Sequence, residues 1–297
     1  GYTDYLEYAR KNFKTVIDRG TLSDGTIRWS HEEGRGEGTT SCINGPTVVA
    51  ACYLAKATGD DSYYETARKI HAAQRKTMYD AGTGRVYDSP SSQVALTYNA
   101  GTWLGSCVML YERYKDQEYL DDAVKSMNYV MGKDFCDNGI LCWEDAKTGP
   151  DLPVFRSILM RYIRKFIVEL NTKTDVTDAL KWMQRNAEVA YQNRNHAGLI
   201  HTPWHWATEN DADYGSAGMS GAVSLFVNLP TYGAAVNRNA YERIEAENFD
   251  YVKGIMTEGT QDSDGNGQVA GVRREYYTGY ANVDFGSRGA SEIELRV

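Results

Sequence analysis

Two pairs of adjacent carboxylates, Asp60-Asp61 and Asp121-Asp122, are the residues of this chain most suited to chemistry. The first pair stands beside Tyr63 and Tyr64. Neighbouring carboxyl groups next to aromatic faces are what glycosidic cleavage uses, one attacking the sugar and the other protonating the leaving oxygen. Other chemistries find less material. The five histidines (31, 71, 196, 201 and 205) form no His-Glu-x-x-His motif, and His-Thr-Pro-Trp-His at 201–205 lacks a zinc-site spacing. The five cysteines (42, 52, 107, 136 and 142) include no Cys-x-x-Cys. Cys136 and Cys142 flank Asp-Asn-Gly-Ile-Leu, so a local disulfide and two free buried thiols are both open. No cofactor for catalysis is expected.

The elements that hold these residues decide between catalysis and structure. Self-comparison superposes Asp60 on Asp116, Tyr63 on Tyr119, Ala67 on Ala123 and Lys69 on Lys125, and puts Tyr5, Ala9 and Lys11 in the same frame. The offsets are 58 and 56 residues, and a fourth, fainter copy lies at 174–184. Each copy reads as helix, short polar turn, helix. Apolar spacing predicts helices over 2–18, 45–57, 62–77, 98–114, 118–131, 153–170, 174–193 and 213–228. Asn44-Gly45-Pro46 is read as a helix start, with proline in the first turn. Asp60 then falls at an N-cap, where its carboxylate accepts orphaned backbone N–H groups. Asp61 places charge at the positive helix end. Asp121-Asp122 is read the same way, as a first-turn pair. Both doublets are therefore expected to be turn features rather than a catalytic pair.

Repeated helical hairpins predict a mainly α toroid whose connections at one end build a cleft. The first copy opens at its turn, so a helix preceding Gly1 is expected. The net charge of −8 and pI near 5.2 argue against nucleic acid or an anionic membrane as partner. No apolar run reaches the roughly 20 residues that span a bilayer. With 22 Tyr and 6 Trp against 7 Phe, the aromatic rings suit either a polar ligand or a tyrosine-rich core.

Seven segments, in order, resemble glycoside hydrolase family 76, endo-acting α-1,6-mannanases with an (α/α)6 barrel. They are GTIRWSHEEG (25–34), TSCINGPTVVAACYLAKATGD (40–60), GRVYDS (84–89), LTYNAGTWLGSCVMLYE (96–112), GILCWED (139–145), VFRSILMRYIRKF (154–166) and NRNHAGLIHTPW (193–204). Two departures stand out: Ala100 replaces the amide of a Tyr-Asn-Gln-Gly pattern, and Arg156 replaces a lysine. The resemblance implies a retaining double displacement by two consecutive aspartates on a helix upstream of residue 1, so no catalytic residue is carried over. It implies that Trp29, Asn44, Asp88, Tyr98, Asn99 and Trp143 line a substrate cleft, although Asp88 also reads as a turn residue. Glu32, Glu33 and Glu37 read as a solvated acidic surface. The implied partner is α-mannan or another neutral polysaccharide, and the implied location is extracellular or cell-surface. A monomer is expected. Two rival readings remain: a non-catalytic glycan-binding protein, and an (α/α)6 enzyme acting on uronates, which clustering of Arg156, Arg161 and Arg164 at the cleft would favour.

After about residue 240 the pattern changes to short alternating runs between polar turns, as strands require. The division expected is a family 76-like domain lacking its first helices at 1–232, a linker at 233–240, and at 241–297 the beginning of a β-sandwich. RIEAENFD (243–250) and YYTGYANVDFGSRGA (276–290) resemble a family 6 carbohydrate-binding module. That resemblance implies a structural calcium held by Glu245 and Glu247 and a sugar-stacking Tyr277. The 57 residues are fewer than such a sandwich needs. The fold class expected is thus mainly α, an incomplete (α/α)6 barrel followed by a partial β-sandwich.

Overall fold

The computed structural model describes residues 2–32, 34, 38–142, 151–206, 215–230, 238–249, 251–253, 255–258, 260, 268–280, 283–287 and 289–294. Eight helices form among them: α1 Tyr2–Gly20, α2 Ser41–Thr58, α3 Ser62–Met78, α4 Thr97–Tyr114, α5 Gln117–Met131, α6 Leu152–Leu170, α7 Thr177–Gln192 and α8 Ser216–Asn228. Each expected helix is present. Their chemistry alternates. Among the even-numbered helices, α2 and α4 bury most of their residues. The odd-numbered helices bury one stripe, such as Ala67, Ile70 and Gln74 of α3 or Ala179, Met183 and Asn186 of α7. The even helices therefore pack side by side in the order α2, α4, α6, α8, and the odd ones lie outside them.

Small residues set the spacing of that inner row. A methyl group on Gly101 would come within 2.8 Å of the Leu159 Cα, and one on Gly105 would strike the Tyr162 ring. At the α2–α4 crossing the same is true of Gly45 against Thr102. An apolar groove of about 540 Å³ runs between α1 and α2, lined by Leu6, Phe13, Pro46 and Leu54 among others.

The start signals need two corrections. The α2 helix begins at Ser41, and Pro46 lies inside it; Asn44-Gly45-Pro46 is not a start. Only the Pro46 N–H is forfeited, and its flank faces the groove against α1 rather than the packed row. Asp121 and Asp122 are the fifth and sixth residues of α5, not a first-turn pair. Asp122 is buried and takes the Arg75 guanidinium at 2.6 Å, while Asp121 accepts from Gln117.

The turn reading of the first doublet holds, but the N-cap of α3 is Asp61 rather than Asp60, and its side chain caps no N–H. Asp60 Oδ1 accepts the Ser62 N–H at 2.9 Å, and Asp61 is ion-paired with Arg113 at 2.8 Å. Asp116 does for Glu118 what Asp60 does for Ser62, and Asp175 does so for Thr177. The faint fourth copy thus keeps the same device.

Between the helices lie two short antiparallel hairpins, β1 Tyr79–Asp80 with β2 Arg85–Val86, and β3 Cys136–Asp137 with β4 Ile140–Leu141. Gly84 has φ of 82°, and a Cβ there would meet the Lys125 carbonyl, so only glycine fits this turn against α5. In the second hairpin Cys136 is opposite Leu141. Cys142, one residue on, points to the other face. Both thiols are free, that of Cys136 donating to the Val130 carbonyl.

The C-terminal stretch is extended, as its alternation implied. Among the described residues the strands β5 Arg238–Asn239, β6 Tyr251–Lys253, β7 Met256–Glu258, β8 Gln268–Ala270, β9 Tyr277–Gly279 and β10 Val283–Asp284 pair in twos: β5 with β10, β6 with β9, β7 with β8. Phe249 is buried at its junction with α7, where Gln184 donates to the Phe249 carbonyl. Among the described residues no helix is long and apolar enough to cross a membrane.

Candidate functional site

Every connection from an odd helix to the next even helix lies at one end of the inner row, because the even helices begin there. These are the 21–40 loop, the two hairpins and the 193–206 loop. The other connections, with Asp60-Asp61 among them, lie at the opposite end, whereas Asp122 reaches Arg75 in the last turn of α3 and Tyr79 of the first hairpin. The hairpin end is thus walled by connections and floored by the first turns of α2, α4 and α6.

Buried amides tie the walls to the helices. Asn44 is fully buried: its Oδ1 accepts the Ile27 N–H at 2.8 Å, and its Nδ2 donates to Thr39 Oγ1 at 2.7 Å and the Thr40 carbonyl at 2.8 Å. Asn186 of α7 does the same for the second hairpin. Its Oδ1 accepts from the Leu141 N–H at 2.9 Å and Trp204 Nε1 at 3.0 Å, and its Nδ2 donates to the Gly139 and Trp182 carbonyls. Arg156 donates to the Leu141 carbonyl at 3.2 Å and lies over the buried Trp204 ring. The loop after β2 is clamped by Ser41, whose N–H donates to the Asp88 carbonyl at 2.8 Å and whose hydroxyl donates to the Tyr87 carbonyl at 2.6 Å.

On that floor Asp88, Tyr98 and Asn99 come together. Asn99 Nδ2 donates to Asp88 Oδ1 at 3.0 Å. The Tyr98 ring lies 4.2 Å from that of Phe155, at the start of α6. Burial pushes the Tyr98 hydroxyl well above the usual phenol range, with Cys42 and Asp88 adding to the effect. Cys42, in the first turn of α2, also contacts Thr40 Oγ1 at 3.0 Å. This corner offers a carboxylate, aromatic faces and hydroxyl-type donors, which is a setting for a hydroxyl-rich neutral ligand.

The expected site residues separate on these facts. Asp88 and Tyr98 sit in the corner, half-buried. Trp29 stands on the 21–40 loop with half its surface exposed, its N–H donating to the Gly38 carbonyl. Asn44 and Asn99 are fully buried, so neither lines the cleft; a ligand meets what they hold instead. Trp143, Glu33 and Glu37 lie outside the described residues, and Glu32 is exposed. The three arginines do not converge: Arg156 is buried, whereas Arg161 and Arg164 are exposed further along α6. Ser41, Cys42, Phe155, Asn186 and Trp204 were not singled out from sequence. A polar residue within an otherwise apolar helix face is the one signal that marks Asn186.

In the C-terminal stretch Tyr277 is exposed. Glu245 is doubly bonded to Arg243, at 2.8 and 3.1 Å. Among the described residues no three His, Cys, Asp or Glu side chains gather in a metal-holding group. Calcium takes six to eight oxygens, so Glu245 and Glu247 by themselves do not fit it.

A family model described as "Glycosyl hydrolase family 76" matches residues 1–236. Among solved structures, the Lin0763 protein from Listeria innocua superposes with a TM-score of 0.63 at 22% identity, over 75% of this chain and 64% of that one. The GH76A α-1,6-mannanase from Salegentibacter sp. HEL1_6 matches at 0.63 and 26% identity, over 76% of this chain and 69% of its own. An inactive variant of that mannanase, with two adjacent aspartates replaced by alanine and α-1,6-mannotetrose bound, matches at 0.64 and 25%. The chain therefore spans about two thirds of the length of these relatives, slightly less for Lin0763.

Proposed function

The chain belongs to glycosyl hydrolase family 76, and on that premise we propose that it is part of an endo-acting α-1,6-mannanase with its sugar cleft at the hairpin end. The observation that carries the reading is the corner of Asp88, Tyr98 and Phe155 at the first turns of three inner helices, inside the residues matched by the family. Asp88 would accept sugar hydroxyls, and Tyr98, Phe155 and Trp29 would offer ring faces to the apolar sides of the pyranoses. A neutral polymer suits the corner better than a uronate, since the arginines of α6 do not meet there.

The nucleophile and acid/base of a retaining double displacement would be paired aspartates contributed from outside these residues. Both doublets of this chain are engaged: Asp60-Asp61 at the far end in a turn and an ion pair, and Asp122 in the Arg75 bridge beneath the first hairpin, where its carbonyl also accepts from Tyr79. The parent enzyme would act outside the cell or at its surface, as a monomer. The C-terminal stretch would be the start of a sugar-binding β-sandwich, with Tyr277 as a stacking ring. Any calcium there would have to compete with Arg243 for Glu245, which titration of the chain with calcium after chelation would reveal as a shift in unfolding.

The test is to incubate the chain with a linear α-1,6-mannan, following binding by calorimetry and hydrolysis by the appearance of reducing ends. Binding without hydrolysis is expected. Hydrolysis abolished by a substitution within 1–236 would overturn the assignment of catalysis to residues outside the chain. Absence of binding would remove the cleft itself.

A further inference from the structure

Asn44, Asn99 and Asn186, the asparagines at the hairpin end with no exposed surface, are not used alike. Asn44 and Asn186 engage both atoms of their amides on neighbouring groups, mostly loop backbone, which is the arrangement that stabilises a fold. Asn99 is equally buried but commits only Nδ2, and commits it to a side-chain carboxylate, Asp88 Oδ1. Its Oδ1 is buried without a hydrogen-bond partner among the described residues. Leaving such an acceptor unsatisfied costs about 1–3 kcal/mol, and departures of this kind concentrate where function constrains a residue.

Asp88 is correspondingly over-determined. Its N–H donates to the Val94 carbonyl at 2.8 Å, its carbonyl accepts from Ser41 at 2.8 Å, and Oδ1 is held by Asn99. Oδ2 alone has no partner among the described residues, on a side chain that is half-exposed at the cleft. We infer that Asn99 is a positioning residue: it fixes the Asp88 carboxylate so that Oδ2 is presented, pre-oriented, to a hydroxyl of a neutral pyranose. Preorganised acceptors gain affinity by removing the ordering cost from binding. The inference rests on the cleft assignment made above and extends it, since it moves Asn99 from contacting the sugar to acting through Asp88.

The experiment measures calorimetric affinity of the chain for α-1,6-mannotetraose, with thermal unfolding followed in parallel. D88N and N99A are each expected to weaken binding on the order of tenfold, as loss of a hydrogen bond to a charged group does. The double variant D88N/N99A is expected to be no weaker than D88N, because both remove one presented oxygen. The exchanged pair D88N/N99D keeps an amide–carboxylate hydrogen bond between the two positions. Because position 99 is fully buried, the exchange moves the charge out of water and is expected to lower the unfolding temperature, and where folded it should bind as weakly as D88N; N99S, which keeps a neutral polar group, is expected to weaken binding as N99A does and carries the test if N99A fails to fold. Multiplying losses in the double variant, unchanged affinity in N99A, or restored affinity in the exchanged pair would each overturn the inference. If Trp29→Ala weakens binding while the Asp88 and Asn99 variants do not, the cleft stands and the inference falls. If the unaltered chain does not bind the tetrasaccharide, both fall.

Discussion

The two ends of the inner helix row are built from different materials. At the hairpin end the connections are held by neutral, buried amides and a buried arginine, and the polar groups are locked in place. At the other end the last turns carry charge: Lys56 is paired with Glu112 at 2.8 Å, Lys165 with Glu169, and Arg113 with Asp61. Glu112 and Glu169 also meet across α4 and α6. The contrast shows which end is committed to a fixed shape. Buried neutral amides resist pH and salt, whereas partly exposed ion pairs contribute little and respond to both. A site that must hold a geometry is built with the first kind.

The largest expected effect tests the locked end. Asn186→Ala removes four hydrogen bonds and strands the Leu141 N–H and Trp204 Nε1. Chemical denaturation should show a loss of about 2–4 kcal/mol. A loss as small as that of a surface change would break the contrast between the ends.

Next comes the row itself. Gly101→Ala forces a methyl group toward the Leu159 backbone and should cost about 1–3 kcal/mol in the same measurement. Gly59→Ala, at the opposite end with open space but φ of 73°, should cost about 1 kcal/mol through backbone strain alone.

The far end should reveal itself through pH. Burial pushes the Glu169 carboxyl up, and Glu112 beside it adds to this, while Lys165 opposes. Glu112 is held below its usual value: burial works against this, but bonds with Glu169 and Lys56 prevail. A raised carboxyl binds its proton more tightly when folded. Glu169 therefore stabilises fully below the unfolded value near 4.5 and loses that contribution as pH rises through its folded value. The lowered Glu112 acts in the opposite sense, its contribution fading as pH falls. Glu169→Gln should flatten the decline in melting temperature as pH rises above 4.5, by an amount worth less than about 1 kcal/mol given partial exposure. Smallest of all, Asp61→Asn breaks an exposed pair with Arg113 and should change stability by no more than about 0.5 kcal/mol, vanishing in high salt.

Much of the scaffold was legible because it is local. The stripe of Tyr63, Ala67 and Ile70 and the recurrent aspartate before α3, α5 and α7 specify helices within one or two turns of sequence. Pro46 misled because the tolerance for a proline inside α2 comes from what its flank faces, a tertiary fact. The site was half legible. Asp88 and Tyr98, both named from sequence, come together in the structure, but the burial of Asn44 and Asn99 was not foreseen, since total burial cannot be read from a single polar residue. Asn186 and Trp204 stayed hidden because their bonds join residues 45 and 18 positions apart, beyond any periodicity. Asp122 is a similar case, taken for a first-turn charge until Arg75, 47 residues away, supplied its partner.

The way the hairpin end is anchored has a bearing on how such a protein can be altered. Each wall is fastened downward, to asparagines and a serine of the helices beneath it, rather than sideways to its neighbours. The tip of the first hairpin, from Ala81 to Thr83, is largely exposed and joined to the body through Lys125, Ser126 and the Gly84 turn. Insertions or exchanges confined to Gly82 and Thr83 leave the Lys125 bond to the Ala81 carbonyl and the other anchors in place. One wall can therefore be lengthened, shortened or replaced without redesigning the next, and the surface of this end can be varied wall by wall on an unchanged chassis.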